Sequence, residues 1–565
     1  MQAKHHSRVV LIAMLSLWVS AAYGGSLPPG VVRQSNGVYL VENHSSAGML
    51  WHRTGQRGAT VIHLDAHDDC RFVAAKKLER LAKLKRAGQW DRIFRLSDLS
   101  YVSGFKVRPE DTLFDLGNFI YPCMADGTVS RFIWVLPDLT LDDAARARLK
   151  GHLVSALHLK APAFTDQADG SFSFALLKGT MVVTTLAALP PQPKGAILDL
   201  DIDFFAFPRA LTDIHIKGDL QWDPEAVCER LVQLVPDPAL TTISASVYGG
   251  YLPLIFRFMA DACFDQLVTG AFPPYARQHL DVVLKMRRAS TPVPAPPAPT
   301  NPIYRPAHQH LKGMLQLMQR DMASAMTLME AAASNSPIYA KALLDASEAL
   351  RHMGYFEAAS ESVQRFEDLT GHSTTESRSE HVHVLRGQGQ QEEAEAVVRE
   401  LTQWNPDPHL LLLHGGVLTE LQRYTEAREV YLRILTMHPQ DHLAAYNLAY
   451  IEELQGNADD AILHYRQAIA LRDNFAAAHE NVGYLLARQK RFREALEHLE
   501  HATSISPKDP GAWAGLGDVQ AVLGALEQAK ASYERALLLQ TDGPEATHAR
   551  DSLKRLAEHT KQQRP

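Results

Sequence analysis

The chain has 565 residues, of which 46% are hydrophobic and 21% are charged, which is typical of a globular protein with more than one domain. Its formal net charge of -7 leaves no basic excess to neutralise phosphates, so nucleic acid is excluded as the main expected partner. Four cysteines allow three complete disulfide pairings, or none if the thiols lie free in a core.

Residues 1–24 have the features of a secretory signal peptide. A short basic start with Lys4 and Arg8 precedes an apolar run over residues 9–19, and small residues suited to cleavage follow near Ala22. An uncleaved anchor is the alternative, but the run is shorter than the roughly 20 apolar residues that span a bilayer. The sequence therefore predicts export to the periplasm or outside the cell, with no stable membrane insertion after cleavage.

Residues 25–288 alternate strand-like apolar runs with helical stretches such as AAKKLERLAKLKRAG. This alternation predicts an α/β domain in which βα units surround a mostly parallel sheet. The strand-like runs read ATVIHLD, FIWVLPDL, GTMVVTTL, GAILDLDI and TTISASVY.

Two of these runs carry acidic residues at alternate positions where the strand ends. VIHLDAHDDC contributes two aspartates and a histidine, and AILDLDIDFF contributes three aspartates, and these residues are Asp65, His67, Asp69, Asp199, Asp201 and Asp203. Alternate residues of a strand share one face, so each set can converge on one point. Because unpaired buried carboxylates are costly, a bound cation is the expected compensation, and solvated strand-end acids are the alternative.

These segments resemble the arginase and ureohydrolase superfamily. DAHDD fits the family's DAHxD motif, LDLDID fits its second metal-binding strand, and ENHSS places His44 upstream, where the family has a metal-binding histidine. The closer likeness is to ureohydrolase-related domains that include peptide arginases, through the VIHxDAHDD strand, a GNFIYP-like segment at residues 117–122 and an LDIDFF-like strand. The resemblance covers roughly residues 25–285 and implies a three-layer α/β/α fold.

The resemblance also implies a binuclear metal site with six ligands, namely His44, Asp65, His67, Asp69, Asp201 and Asp203. The resemblance implies that Asp65 and Asp201 are shared by both metals. His44 and Asp69 would complete one site, and His67 and Asp203 would complete the other. The expected cofactors are two divalent ions, Mn²⁺ in arginases, although the ligand types do not exclude Zn²⁺ or Fe²⁺. In this family such a site hydrolyses a guanidinium group to urea and an amine.

Some residues near this site admit more than one interpretation. Asp199 stands where the family has a serine, so the metal-binding aspartate pair could be shifted by two residues. His63 is interpreted as a packed histidine, or one that supports a ligand, rather than as a ligand itself. The predicted catalytic residues are Asp69 and Asn118.

The substrate is less well defined than the metal site. Tyr121, Asp126 and Tyr248 are, with Asn118, candidates for lining the pocket. The segment TTISASVYGGYLP has no acid where true arginases bind the substrate guanidinium, so the motifs do not separate free arginine from peptide arginine.

Two other functions compete with the arginase-like one. Related deacetylases use a single zinc and tandem histidines as base, whereas here Ser45 and Ser46 follow His44. Deacetylation or other amide hydrolysis is kept as the enzymatic alternative. A catalytically inactive domain attached to a repeat scaffold is the second alternative.

Residues 289–302, ASTPVPAPPAPTNP, are predicted to be a semi-rigid proline-rich linker. Because each flanking region is long enough for its own core, the two halves are expected to fold independently. The domain limits predicted from these features are a signal peptide at 1–24, a metallohydrolase domain at 25–288, the linker at 289–302 and a repeat domain at 303–565.

The region after the linker repeats every 34 residues, as its alanines at Ala427, Ala461, Ala495 and Ala529 show. The pattern resembles the tetratricopeptide repeat and predicts an all-α solenoid of about seven helical hairpins from residue 303, with a terminal cap over residues 545–562. Such solenoids bind peptides or proteins, so a polypeptide substrate is the expected partner. Asn447 and Asn481 hold equivalent positions and could contact a peptide backbone or simply face solvent.

Overall fold

A computed structural model describes residues 27–28, 30–42, 44–97, 112–114, 117–137, 141–160, 162–205, 220–245, 253–288 and 293–562. The predicted signal peptide, the start of the predicted linker and Tyr248 lie outside these ranges. Within them, every helix is too short or too polar to cross a membrane. The chain divides into two compact units, Met1–Val384 and Leu385–Pro565.

The described residues of the first unit form a nine-stranded sheet. Its strands are β1 (Val31–Ser35), β2 (Val38–Val41), β3 (Ala59–Leu64), β4 (Val129–Leu136), β5 (Thr165–Asp166), β6 (Phe172–Leu176), β7 (Gly179–Thr185), β8 (Ile197–Asp201) and β9 (Leu240–Ser244). They lie in the order β1-β2-β9-β8-β3-β4-β7-β6-β5. Neighbours from β2 to β7 in this order are parallel, and β1, β5 and β6 add antiparallel pairs at the edges, which confirms the predicted mostly parallel sheet.

Helices cover both faces of this sheet. Strands β8 and β9 are buried along their whole length, as expected when both faces are covered. Successive residues of β3 belong to opposite cores, since Val61 packs in one and Ile62 in the other. The helices of this part are His44–Arg53, Ala75–Arg86, Trp90–Leu96, Ile120–Ala125, Asp143–Ala156, Pro224–Leu234, Phe258–Thr269 and Pro274–Arg288.

The topology brings the predicted site residues to one edge of the sheet. Strands β3 and β8 are adjacent and parallel, with Leu64 opposite Leu200. Their carboxyl ends therefore meet, and the chain leaving β2 begins its helix at His44 near the same edge. Ligands of open parallel sheets bind in the crevice outside the carboxyl ends of the strands.

The chain from residue 302 onward is helical and forms seven successive helix pairs. They are Arg305–Met318 with Met322–Asn335, Ala342–His352 with Phe356–Thr370, Thr375–Gly387 with Gln391–Trp404, Pro408–Glu420 with Tyr424–Met437, His442–Leu454 with Ala458–Leu471, Ala476–Arg488 with Phe492–Ile505, and Pro510–Val522 with Leu526–Leu539. A last helix, Pro544–Gln562, follows. The predicted number of hairpins and the predicted terminal helix are confirmed.

The division between the compact units differs from the predicted limit at residues 289–302. One hydrophobic core includes Leu64 and Leu200 of the sheet together with Leu311 and Leu343 of the first two hairpins. Asp265 also joins the two parts, because it accepts a hydrogen bond of 2.7 Å from the hydroxyl of Tyr304. The first hairpins therefore belong to the sheet domain, and the division lies at residue 384.

The cysteines are not paired in this fold. Cys70, Cys123, Cys228 and Cys263 are all buried with free thiols. The sequence allows either disulfides or free buried thiols, and the structure has free thiols at all four positions.

Two adjacent glycines in the repeat region differ in the space around them, which gives a first test of the packing. A Cβ on Gly415 would lie 2.6 Å from the ring of Tyr431, whereas a Cβ on Gly416 would meet nothing within 4 Å. We expect Gly415→Ala to lower the free energy of unfolding by about 1–3 kcal/mol through overpacking. Gly416→Ala should raise it by up to about 1 kcal/mol, since alanine favours the helix. Urea unfolding followed by circular dichroism checks this, and equal shifts would contradict the packing.

Candidate metal centre

The six predicted ligands lie together at the carboxyl edge of the sheet. Three of them follow β3, two lie at the end of β8, and His44 begins the helix after β2. Five of the six are less than a tenth exposed, and these are His44, Asp65, Asp69, Asp201 and Asp203. The side chain of His67 is 36% exposed, so it marks the side of the cluster that is open to solvent.

Three carboxylates surround one nitrogen of His44. Its Nδ1 lies 3.3 Å from Asp65 Oδ2, 2.6 Å from Asp69 Oδ2 and 3.2 Å from Asp201 Oδ2. A single ring N–H donates to one acceptor well, so this arrangement leaves negative charge uncompensated in a buried place. The donor set of imidazole and carboxylates fits a divalent cation.

A second group forms around His67. Its Nδ1 lies 3.0 Å from Asp203 Oδ2 and 3.4 Å from Asp65 Oδ1. The ligand atoms of these three residues all lie within 4.8 Å of one another. Asp65 thus contacts both His44 and His67, as the resemblance implies for a shared ligand.

Burial and mutual repulsion shift the pKa values of this cluster. Burial acts to lower the pKa of His44, but Asp201 and Asp69 outweigh it and hold that pKa well above its ordinary value. Burial, and then the charge of Asp65, raise the pKa of Asp69 to about 6, and the same causes raise the pKa of Asp203. The imidazole of His44 is therefore held in its protonated form, and a bound cation would have to displace that proton.

The backbone after β3 adopts a sparsely populated conformation. Asp69 has a φ of 43°, in the left-handed region that aspartate tolerates better than most residues. Its carbonyl accepts a hydrogen bond of 3.3 Å from Ile120 N, and Arg71 N donates to Gly117 O at 3.1 Å. The loop after β3, which carries three of the predicted ligands, is thus fixed to the 117–122 segment, which includes Asn118.

Asp68 supports this loop from the outside. Its Oδ1 accepts a hydrogen bond of 3.2 Å from Cys70 N, and its Oδ2 lies 2.6 Å from His152 Nε2. Asp68 is buried, and the contact with His152 lowers its pKa in spite of that burial, which acts to raise it. This last acid before Asp69 therefore ties the loop to the helix Asp143–Ala156.

The remaining pocket candidates lie in different surroundings. Asp126 forms an ion pair with Lys85 and lies 3.5 Å from His52 Nδ1, so its contacts are structural. Tyr121 is buried, with its ring 5.6 Å from the ring of Phe72. Tyr248 is outside the described residues.

Asp199 does not occupy the position of a ligand. Its Oδ2 lies 2.8 Å from His63 Nδ1, and its Oδ1 accepts a hydrogen bond from the hydroxyl of Thr242. Asp201, not Asp199, lies beside His44, so the geometry favours the unshifted pair, Asp201 and Asp203, as the candidate ligands. The motifs do not predict the contact between His63 and Asp199. It follows from the pairing of β3 with β8, whose register places these two residues opposite each other.

One of the two asparagines that could contact a peptide or face solvent is hydrogen-bonded within the solenoid. Asn481 Nδ2 donates to the hydroxyls of Tyr446 and Tyr465 at 3.1 and 3.0 Å. Its equivalent Asn447 is half-buried. A ladder of free amides along the repeats is therefore not formed by this pair.

Comparisons with known proteins concern the helical region. The tetratricopeptide repeat family matches residues 380–442, 418–476 and 446–511, and a second description of the same repeat matches residues 486–553. Tetratricopeptide repeat-containing protein trd-1 of Caenorhabditis elegans is 26% identical over 167 residues, which are 29% of this chain and 20% of that protein. Superkiller protein 3 of Schizosaccharomyces pombe is 39% identical over 64 residues, 11% of this chain and 5% of that protein.

This chain therefore spans a fifth or less of the length of these two relatives. A crystal structure of a tetratricopeptide repeat protein from Parabacteroides merdae is 18% identical, with a TM-score of 0.35, and covers 45% of this chain and 99% of that chain. The family matches and the helix pairs agree on the same region. The C-terminal part of this chain is a solenoid of tetratricopeptide repeats.

Proposed function

We propose that the α/β domain is a binuclear metal-dependent hydrolase of ureohydrolase type, which acts on arginine side chains in peptides or proteins to give ornithine and urea. The observation that carries this proposal is the position of three buried carboxylates around one nitrogen of His44. The motif resemblance supplies the reaction class. Mn²⁺ is the expected metal, with Zn²⁺ or Fe²⁺ as alternatives.

Different residues of the cluster would have different roles in such a site. Two bound divalent cations would supply a hydroxide nucleophile at neutral pH. Asp65, which lies near both His44 and His67, would be shared by the two metals, and the motif resemblance implies the same role for Asp201. The burial of the cluster would keep bulk water away from its inner side. The substrate guanidinium would enter on the side of His67, because its side chain is the most exposed of the six.

The repeat solenoid supports a polypeptide substrate over free arginine. Solenoids of this kind present extended surfaces to other polypeptides, which supply binding energy remote from the reacting carbon. We propose that the protein acts after export, in the periplasm or outside the cell.

A second candidate is a protein-interaction scaffold, with the α/β domain inactive. The match of the C-terminal region to the tetratricopeptide repeat family favours it, since such repeats serve protein partners. A scaffold has no need of two metals per chain, so metal content separates the two candidates.

The activity test uses the full-length protein loaded with Mn²⁺ and an arginine-containing peptide. We expect urea release and a loss of about 42 Da from the peptide, as hydrolysis of the guanidinium requires. Free arginine should be turned over poorly, because it lacks the remote contacts of the peptide. Asp201→Ala should be inactive, whereas the control Asp237→Asn, at an acid 75% exposed, should keep full activity.

The other outcomes assign the function differently. Acetate release from an acetyl-lysine peptide, with arginine intact, would favour the deacetylase alternative. No metal and no reaction on either peptide would favour the scaffold.

A further inference from the structure

His63 is held by a chain of buried polar contacts behind the metal centre. Its Nδ1 lies 2.8 Å from Asp199 Oδ2, and the other oxygen of Asp199 accepts a hydrogen bond from Thr242. Thr242 Oγ1 in turn accepts a hydrogen bond of 3.4 Å from Trp51 Nε1. A carboxylate can only accept, so Nδ1 of His63 carries a proton and the ring orientation is fixed.

The other nitrogen of His63 faces the metal centre. Nε2 is fully buried and has no hydrogen-bond partner among the described residues. It lies 3.2 Å from Oδ2 of Asp65, an atom that likewise makes no hydrogen bond within the described part of the chain. The same oxygen is 3.3 Å from His44 Nδ1. Two polar atoms buried this close must share either a proton or a bound cation, because leaving both unsatisfied would be costly.

These spacings match those of ligand atoms around one metal. With metal–nitrogen and metal–oxygen bonds of about 2.1 Å, neighbouring ligand atoms in a tetrahedral or octahedral shell lie roughly 3.0–3.4 Å apart. His44, His63 and Asp65 also form one of the two groups, within the described ranges, whose ligand atoms all lie within 4.8 Å.

We infer that His63 is a further metal ligand, through Nε2, and that Asp199 is its positioning residue. The inference rests on the proposed metal centre and adds one ligand to the six that the motif resemblance gives. Metal-bound histidines usually donate their second ring N–H to a carboxylate or carbonyl, which is the arrangement of His63 and Asp199. A second imidazole at the His44 site would also shift the preference of that site from Mn²⁺ toward Fe²⁺, Co²⁺ or Zn²⁺.

The test measures metal binding by the full-length protein, without reference to activity. Stoichiometry and dissociation constants would be determined with Mn²⁺ and with Co²⁺, whose visible spectrum reports its ligands. We expect two metals in the wild type, and in His63→Gln a strong loss of affinity for one of them with a changed cobalt spectrum. Asp199→Asn should fold with little disturbance and weaken that same site by about 10- to 100-fold.

The matched control is His279→Gln, at a histidine that is equally buried but bonds to Tyr275. It should keep both metals and the wild-type cobalt spectrum. Two metals bound by His63→Gln and Asp199→Asn, each with affinity and spectrum of the wild type, would overturn the inference and leave the metal centre standing. A wild type that binds no metal would overturn the metal centre and this inference with it.

Discussion

Asp201→Ala is expected to abolish binuclear metal binding and the stabilisation that metal provides. Asp201 lies 3.2 Å from His44 Nδ1 at the end of β8, where it is proposed to bridge both metals. At a free metal concentration 100 times the dissociation constant, binding stabilises a folded protein by about 2.7 kcal/mol. The wild type should therefore melt at a higher temperature with Mn²⁺ than with a chelator, and the variant should melt at one temperature in both.

The metal-free proteins should differ much less in stability. Removing one of three carboxylates around His44 relieves repulsion between them, but it also removes a counter-charge of His44 and the acceptor of the Asp203 N–H, so metal-free Asp201→Ala should melt close to the metal-free wild type. Thermal melts and elemental analysis of Asp65→Ala and Asp201→Ala check both halves of this expectation, with Asp237→Asn as the control. Two metals retained in both alanine variants would contradict the ligand assignment.

A chain that ends at residue 288 is expected to aggregate, whereas one that ends at residue 384 should stay soluble and bind metal. The first two hairpins contribute Leu311, Leu343 and Phe366 to the core of the sheet domain, each at most 1% exposed. Burial of each such side chain contributes roughly 1.5–3 kcal/mol to stability. Without these helices, the residues of the sheet domain that pack against them would form an exposed apolar face. This expectation replaces the independent folding that the proline-rich linker suggests.

Size-exclusion chromatography and light scattering of the two shortened chains, beside the full-length protein, test this division. A monomeric, metal-loaded chain ending at residue 288 would show that the shared core is not required. The control is a chain ending at residue 505, after the helix Phe492–Ile505, which removes one helix pair and the last helix, both from the second unit.

Much of the fold could be predicted because its signals are local. The runs that became β3, β4, β7, β8 and β9 are apolar over several consecutive residues, as central strands of a covered parallel sheet require. The 34-residue period fixed the helix pairs, because each repeat must present small residues such as Gly415 at the same crossing. The convergence of the acidic strand ends followed from strand alternation and from the common edge of parallel strands.

The features that the sequence does not predict depend on contacts between distant segments of the chain. His63 and Asp199 are paired only because β3 lies next to β8 in one register. The limit at residue 384 was hidden because apolar residues such as Leu311 and Leu343 have the same spacing whether they face a neighbouring repeat or a sheet. Asp126 is a candidate pocket residue from its place in the sequence, but it forms an ion pair with Lys85, which lies 41 positions earlier in the chain.

The four cysteines are free, so disulfide bonds do not contribute to the stability of this fold. Burial raises the pKa of Cys70 well above its ordinary value, and a hydrogen bond with Cys228 and then burial do the same for Cys263. Since the thiolate is the form that reacts with oxidants, such thiols stay inert even in an oxidising compartment. Folding of this chain therefore needs neither an oxidant nor a disulfide isomerase. If the proposed metal centre is right, we expect the stability of this chain to respond to the concentration of divalent metal and to stay unchanged when a thiol reductant is added.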